Sequence, residues 1–181
     1  LEPSLVGSLQ TVTDAVERAR QAGMAAQQVL RLTEDPPVQH RELLGLDDVV
    51  RAVLTTRAEW LQRHQVGVRH GLAQTQVYAD SSMLYMLVDE LLLWAAQMAP
   101  QIAIMVDRSS RSGRPRLNVL AWFDPAQMPE AAWLGMRWML WHQLARTLGA
   151  SACVDTQTDP VRVTLSLSAA TEEQLATGIE E

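Results

Sequence analysis

"VYADSSMLYMLVDELLLWAAQMAP", residues 77–100, is the stretch on which the fold turns. It opens with the end of a short extended piece, QVYAD (76–80), and then changes period. Asp80 or Ser81 is suited to cap a helix, because a short oxygen-bearing side chain accepts from the free N–H groups of the first turn. Leu84, Leu87, Val88, Leu91, Leu92 and Ala95 then recur at steps of three and four, which predicts one buried helical face. Pro100 ends the run, since proline cannot continue a helix. Glu90, Trp94 and Gln97 fall together on another face. A tryptophan between two polar residues there is the oddity to be explained.

Upstream, Leu5, Leu9, Val12, Val16, Ala19, Gly23, Ala26 and Leu30 alternate steps of four and three, a heptad seam that needs a partner helix. TEDPPVQHREL (33–43) breaks that pattern with two prolines and reads as a linker. A second helix is expected from Leu46, with Asp47 and Asp48 favouring its first turn; it buries Val49, Val50, Val53, Leu54 and Leu61. VGVRHGL (66–72) alternates like a strand. Downstream of Pro100, IAIMVDRSS (102–110) and RLNVLAWFD (116–124) read as a hairpin turning at RSGRP. A helix is expected over 129–150, with Pro129 near its start and Gly149 as its stop. SACVDTQ and VRVTLSLS form a last hairpin. The order predicts an α+β fold: a two-layer sandwich, one mixed sheet covered by helices on one face, preceded by a long helix. The divisions are 1–33 for the long helix, 34–45 for the linker, 46–169 for the domain and 170–181 for an acidic tail.

Composition narrows the function. The net charge of −6 disfavours nucleic acid as a partner, because a phosphate backbone calls for a basic surface. All 15 basic residues are arginine, so lysine chemistry is absent. Cys153 is the single cysteine, which excludes an internal disulfide and cysteine-based zinc clusters and suits a cytoplasmic setting. No apolar run reaches the roughly 18 residues of a membrane span.

Several phrases, in order, resemble a bacterial sensor histidine kinase. DAVERARQAGMAAQQVLRL (14–32) is similar to the second helix of the dimerisation and phosphotransfer hairpin. LLGLDDVVRAVL (43–54) resembles the entry to the ATP-binding domain of the GHKL class. Residues 77–100 resemble the strand end and helix that carry the N box, and 145–168 the closing helix and hairpin.

The resemblance also implies what is missing. It places Trp94 at the asparagine that helps hold Mg²⁺, Glu90 at an earlier polar position and Gln97 at the usual lysine. An indole has one N–H donor and no acceptor, so it does not ligate a hard cation. In the stretch matching the Asp-x-Gly-x-Gly adenine loop, WFDPAQMP (122–129), Phe123 or, shifted by one, Asp124 takes the aspartate's place, and neither glycine is present. Only five residues separate Pro129 from GMRW (135–138), leaving Gly135 alone of the phosphate-cradling turn. No histidine has a phosphoacceptor context: His40, His64, His70 and His142 read as surface or packing residues. Glu90, with nothing to act on, reads as a solvated helix residue.

Six tryptophans is a high count beside one phenylalanine. They either fill the vacated pocket as core or, in the case of Trp133, Met136, Trp138 and Trp141, form a hydrophobic docking surface. The resulting expectation is a degenerate, pseudokinase-like module of two-component signalling, with no catalytic residues, no metal and no cofactor. Its expected partners are a receiver domain or another kinase-like protein, with a homodimer through the long helix. The alternatives are a histidine phosphotransferase whose acceptor histidine lies upstream, or a domain holding nucleotide in an altered mode with adenine stacked on Trp94.

Overall fold

A computed structural model describes residues 3–35, 37–122 and 135–169. The elements run α1 (Pro3–Glu34), β1 (Arg41–Gly45), α2 (Leu46–Arg63), β2 (Gly67–Leu72), β3 (Gln76–Asp80), α3 (Ser81–Met98), β4 (Gln101–Arg108), β5 (Pro115–Trp122), α4 (Met136–Thr147), β6 (Ser151–Asp155) and β7 (Val161–Ser166).

Five strands form one sheet in the order β2-β4-β5-β7-β6. β2 runs parallel to β4 and the other neighbours are antiparallel, so the sheet is mixed. The period of two in each strand sends Ile102, Ile104 and Val106 of β4, Leu117, Val119 and Ala121 of β5, and Val163 and Leu165 of β7 into one core with α2, α3 and α4. The opposite sheet face carries Gln101, Met105 and Trp122, which are exposed. This is the two-layer arrangement expected from the sequence.

Three local details explain the path of the chain. β1 pairs antiparallel with β3, Arg41 opposite Asp80 through Gly45 opposite Gln76. Residues 41–45, expected to end a linker, are therefore a strand of the folded body; two prolines upstream masked a short run with half-buried Leu43 and Leu44. Gly45 caps α2 tightly, since a Cβ there would lie 2.5 Å from an Asp48 carboxylate oxygen. Asp47 is buried and accepts from the Thr75 N–H at 3.1 Å, which ties α2 to the loop before β3.

At α3, Asp80 is the N-cap and accepts from the Met83 N–H at 3.0 Å. That bond, with a second from the His40 N–H at 2.9 Å, stabilises the carboxylate and holds its pKa below the ordinary value. α4 ends in a Schellman motif: the Ala150 N–H donates to Ala145 O at 2.8 Å and Gly149 N–H to Arg146 O at 3.0 Å. Gly149 has φ +72, the left-handed conformation that favours glycine. The described start of α4 is Met136, with Gly135 as an extended N-cap; the expected start at Pro129 lies outside the described residues.

α1 has 32 residues, about 48 Å at 1.5 Å per residue. It packs on α4. Ala25 is buried in that contact, with Val29 and Leu32 half-buried against the core. The heptad seam faces the other way, for Leu9, Val12, Val16, Ala19, Gly23, Ala26 and Leu30 are all exposed.

Candidate functional site

α3 is apolar nearly all round, so the face holding Glu90, Trp94 and Gln97 is not a solvated face. Gln97 alone is exposed there. Trp94 is 3% exposed and belongs to the core. Its ring meets Trp138 at a centroid distance of 5.4 Å and Trp141 at 6.1 Å. Trp138 meets Trp141 edge-on at 4.6 Å, the geometry that aligns a ring's positive edge with a negative face. His142 stacks on Trp141 at 4.0 Å and lies 4.4 Å from Trp138. Three indoles and an imidazole thus fill the space between α3 and α4. The Trp141 Nε1 and His142 Nε2 are buried with no hydrogen-bond partner among the described residues. Burial pushes the His142 pKa below its ordinary value, because the imidazolium would lose its hydration.

Trp141 is fully buried, which corrects its assignment to a docking surface: it is packing, not surface. Trp138 is half-buried against the same core, and Met136 is half-buried at the first position of α4. Phe123, Asp124 and Trp133 lie outside the described residues.

Above this layer, a cleft of about 920 Å³ is bounded by α1, α2, α3 and the start of α4. Of the positions singled out from sequence, Glu90, Gln97, Gly135 and Met136 line it. Trp94 and Trp141 do not; they lie in the core beside it. Met24 and Gln28 of α1 supply part of the opposite wall. That wall was not foreseen, since the sequence showed which residues make a seam but not which face of α1 meets the domain.

Glu90 is not the solvated residue expected. Its carboxylate is half-buried and ion-paired with the Arg137 guanidinium from the first turn of α4. Burial raises its pKa above the ordinary value, while the nearby Arg137 charge pulls it back. The preceding residue, Asp89, is buried and takes a two-pronged contact from Arg57 of α2, both bonds 2.6 Å. Adjacent carboxylates on α3 are therefore each gripped by an arginine from a flanking helix. The sequence held one signal for this. Two acids in a leucine-rich helix need counter-charges once buried.

The chemistry of these groups is limited. Trp94 offers one N–H donor and no oxygen. Glu90's oxygen is engaged by Arg137. Among the described residues no group of three or more His, Cys, Asp or Glu converges on a point where a cation would sit. No described helix is long and apolar enough to cross a membrane.

With this geometry in hand, solved structures identify the architecture. Acinetobacter baumannii histidine kinase AdeS superposes with a TM-score of 0.63 at 17% identity, covering 93% of this chain and 83% of that one. The chain has the fold of the sensor histidine kinase catalytic domain. The catalytic domain of histidine kinase ThkA matches with a TM-score of 0.63 at 13% identity, over 74% of this chain and all of that one. The ATP-binding domain of PrrB from Mycobacterium tuberculosis gives 0.59 at 16% identity, covering 74% and 100%. No family model and no curated protein sequence matches the chain. At such identities the kinase likeness is a likeness of fold, and the chemistry of the cleft has to be read from this chain's own residues.

Proposed function

We propose that this chain is a histidine-kinase-like signalling module that no longer binds Mg²⁺–ATP and acts through protein contacts. The observation that carries the reading is that Trp94 is buried in a tryptophan cluster; the sequence resemblance sets this residue at the position of the metal-holding asparagine. Octahedral Mg²⁺ requires oxygen ligands at about 2.0–2.1 Å, and an indole supplies none. The second support is the Glu90–Arg137 pair, which ties up the neighbouring carboxylate. The residues present therefore do not fit a magnesium nucleotide.

The partner class that suits the reading is a receiver domain or another kinase-like chain, with α1 as the helix that joins copies. Isothermal titration with ATP and Mg²⁺ tests the central point. We expect no saturable heat up to millimolar nucleotide; micromolar affinity would overturn the proposal.

The phosphotransferase reading shares the same α1 and is favoured by one observation, the exposed seam of α1 beside a fold of kinase type. A phosphoacceptor histidine on a preceding helix would decide for it. Phosphate transfer from a phosphorylated receiver to a chain extended by that helix is the direct assay.

A further inference from the structure

The sheet has a face that takes no part in the cleft. A sheet with one solvated face ordinarily alternates apolar inward with polar outward. β4 and β5 break that rule at their centre. On the side away from the core, Gln101 stands opposite Trp122, Ala103 opposite Leu120 and Met105 opposite Asn118. Met105 and Trp122 are exposed, and Ala103 and Leu120 lie buried in the row between them.

The strands on either side supply charge. Arg69 of β2 is the register partner of Ala103, and Arg162 of β7 is that of Leu120. One row across the sheet therefore runs Arg69, Ala103, Leu120, Arg162: basic, apolar, apolar, basic. Both arginines are exposed. Further along the same face Arg116 is held by Asp107 at 2.7 Å, but among the described residues Arg69 and Arg162 are in no ion pair. Asp155, opposite Arg162 on β6, accepts instead from the Gln157 N–H at 3.1 Å.

The spacing of this row selects a shape. Neighbouring strands lie about 4.8 Å apart, so the two arginine backbones stand about 14 Å apart across the apolar pair. An α-helix with its side chains is about 10–12 Å wide. Laid along the strands, it fits between the two basic banks, with its apolar stripe on Ala103, Met105, Leu120 and Trp122. At one end of the band a recess of about 260 Å³ opens between Arg69, Gln101 and Trp122. That is smaller than the roughly 300–1,000 Å³ of a small-molecule pocket and suits one large side chain. The charge selects a sign, since a free guanidinium fork matches a carboxylate with two parallel bonds.

We propose that this face of the sheet docks an amphipathic helix of a partner protein, apolar along one stripe and acidic on both sides of it. The surface lies across the sheet from α2, α3 and α4, so it stands whether or not the cleft takes a nucleotide.

The probe is a labelled three-heptad peptide with leucine at a and d, glutamate at e and g and alanine elsewhere, so that acids flank the apolar stripe. Its fluorescence anisotropy is followed against the full chain at low salt, and saturable binding is expected with a Kd at or below about 100 μM. Arg69→Glu with Arg162→Glu is expected to weaken binding at least about ten-fold, and Met105→Ser with Trp122→Ser to do the same. A peptide with lysine in place of glutamate is expected to prefer the Arg69→Glu, Arg162→Glu chain over the unaltered one. The melting temperature of each variant is the check on folding. The stripe of α1 offers the peptide a second place to bind, so Val12→Glu with Val16→Glu is the control, and its affinity is expected to match that of the unaltered chain. No binding at about 100 μM, an unchanged affinity in the Arg69→Glu, Arg162→Glu chain, or a loss confined to the Val12→Glu, Val16→Glu chain overturns the proposal.

Discussion

Trp94 is 3% exposed, and its ring is held by Trp138 and Trp141. A packed interior punishes removal of such a ring twice, through lost burial and through the void left behind. Trp94→Ala is therefore expected to lower the unfolding free energy by about 3–5 kcal/mol in urea denaturation. A value under about 1 kcal/mol would mean that the ring is not core. The same cluster sets a pH dependence through His142. Its folded pKa is depressed below the ordinary 6.5, so the unfolded chain takes up a proton first as pH falls. The stability contribution is full above 6.5 and is lost as pH drops through the depressed folded value. Replacing His142 by Phe keeps a ring and is expected to remove that loss in melts between pH 7 and 5; an unchanged slope would assign it elsewhere. Glu90 has the opposite sign, its folded pKa being raised by burial. Its contribution is present below 4.5 and lost as pH rises through the raised value, so Glu90→Gln and His142→Phe, made singly, separate the effects. The sequence showed that Trp94 was out of place on a polar face. It could not show that the face was buried, because helical period alone does not say how wide the apolar arc becomes once a second helix packs against it.

Among the elements, α3 was the most legible and its surroundings the least. Its apolar spacing, the Asp80 cap and the Pro100 stop were all readable, since each is a local rule. The partners of Asp89 and Glu90 were not, because Arg57 lies 32 positions away on α2 and Arg137 lies 47 away on α4. The Arg57–Asp89 contact joins α2 to α3 with two short, parallel bonds, a geometry only the planar guanidinium provides. Asp89→Asn leaves Arg57 half-buried without its counter-charge, and the expected loss is about 1.5–3 kcal/mol. Arg57→Lys is expected to recover only a fraction of the contact, since an ammonium cannot meet both oxygens in the same plane. A double-mutant cycle with Arg57→Met and Asp89→Ala measures the coupling directly, and a coupling near zero would reduce the pair to an ordinary surface contact. β1 shows the converse limit. A five-residue strand hidden behind two prolines has too few residues to reveal a period, and only its pairing with β3 defines it.

For the whole molecule, the decisive question is what the outer face of α1 meets. The period of the seam was legible, but its orientation was not. The face turned to the domain is the less conspicuous one, with Ala25, Val29 and Leu32 interleaved with Gln21 and Gln28. The regular stripe is left outside, with Leu9 61%, Val12 59%, Val16 63% and Leu30 55% exposed. The inner face of α1 rests on α4, which leaves the stripe open to association, the role proposed for it above. Two copies with heptad spacing can bury it seam to seam, each apolar residue entering the gap between residues of the other. We therefore expect a concentration-dependent dimer in sedimentation equilibrium. Val12→Glu with Val16→Glu places four like charges on that seam and is expected to shift the chain to monomer, with the melting temperature of the monomer unchanged because neither residue touches the core. Ala25→Glu is the contrasting variant: it drives a charge into the α1–α4 contact and is expected to lower stability while leaving the seam intact. If the double variant sediments like the unaltered chain, the stripe does not join copies of this chain, and α1 is left as a wall of the cleft alone.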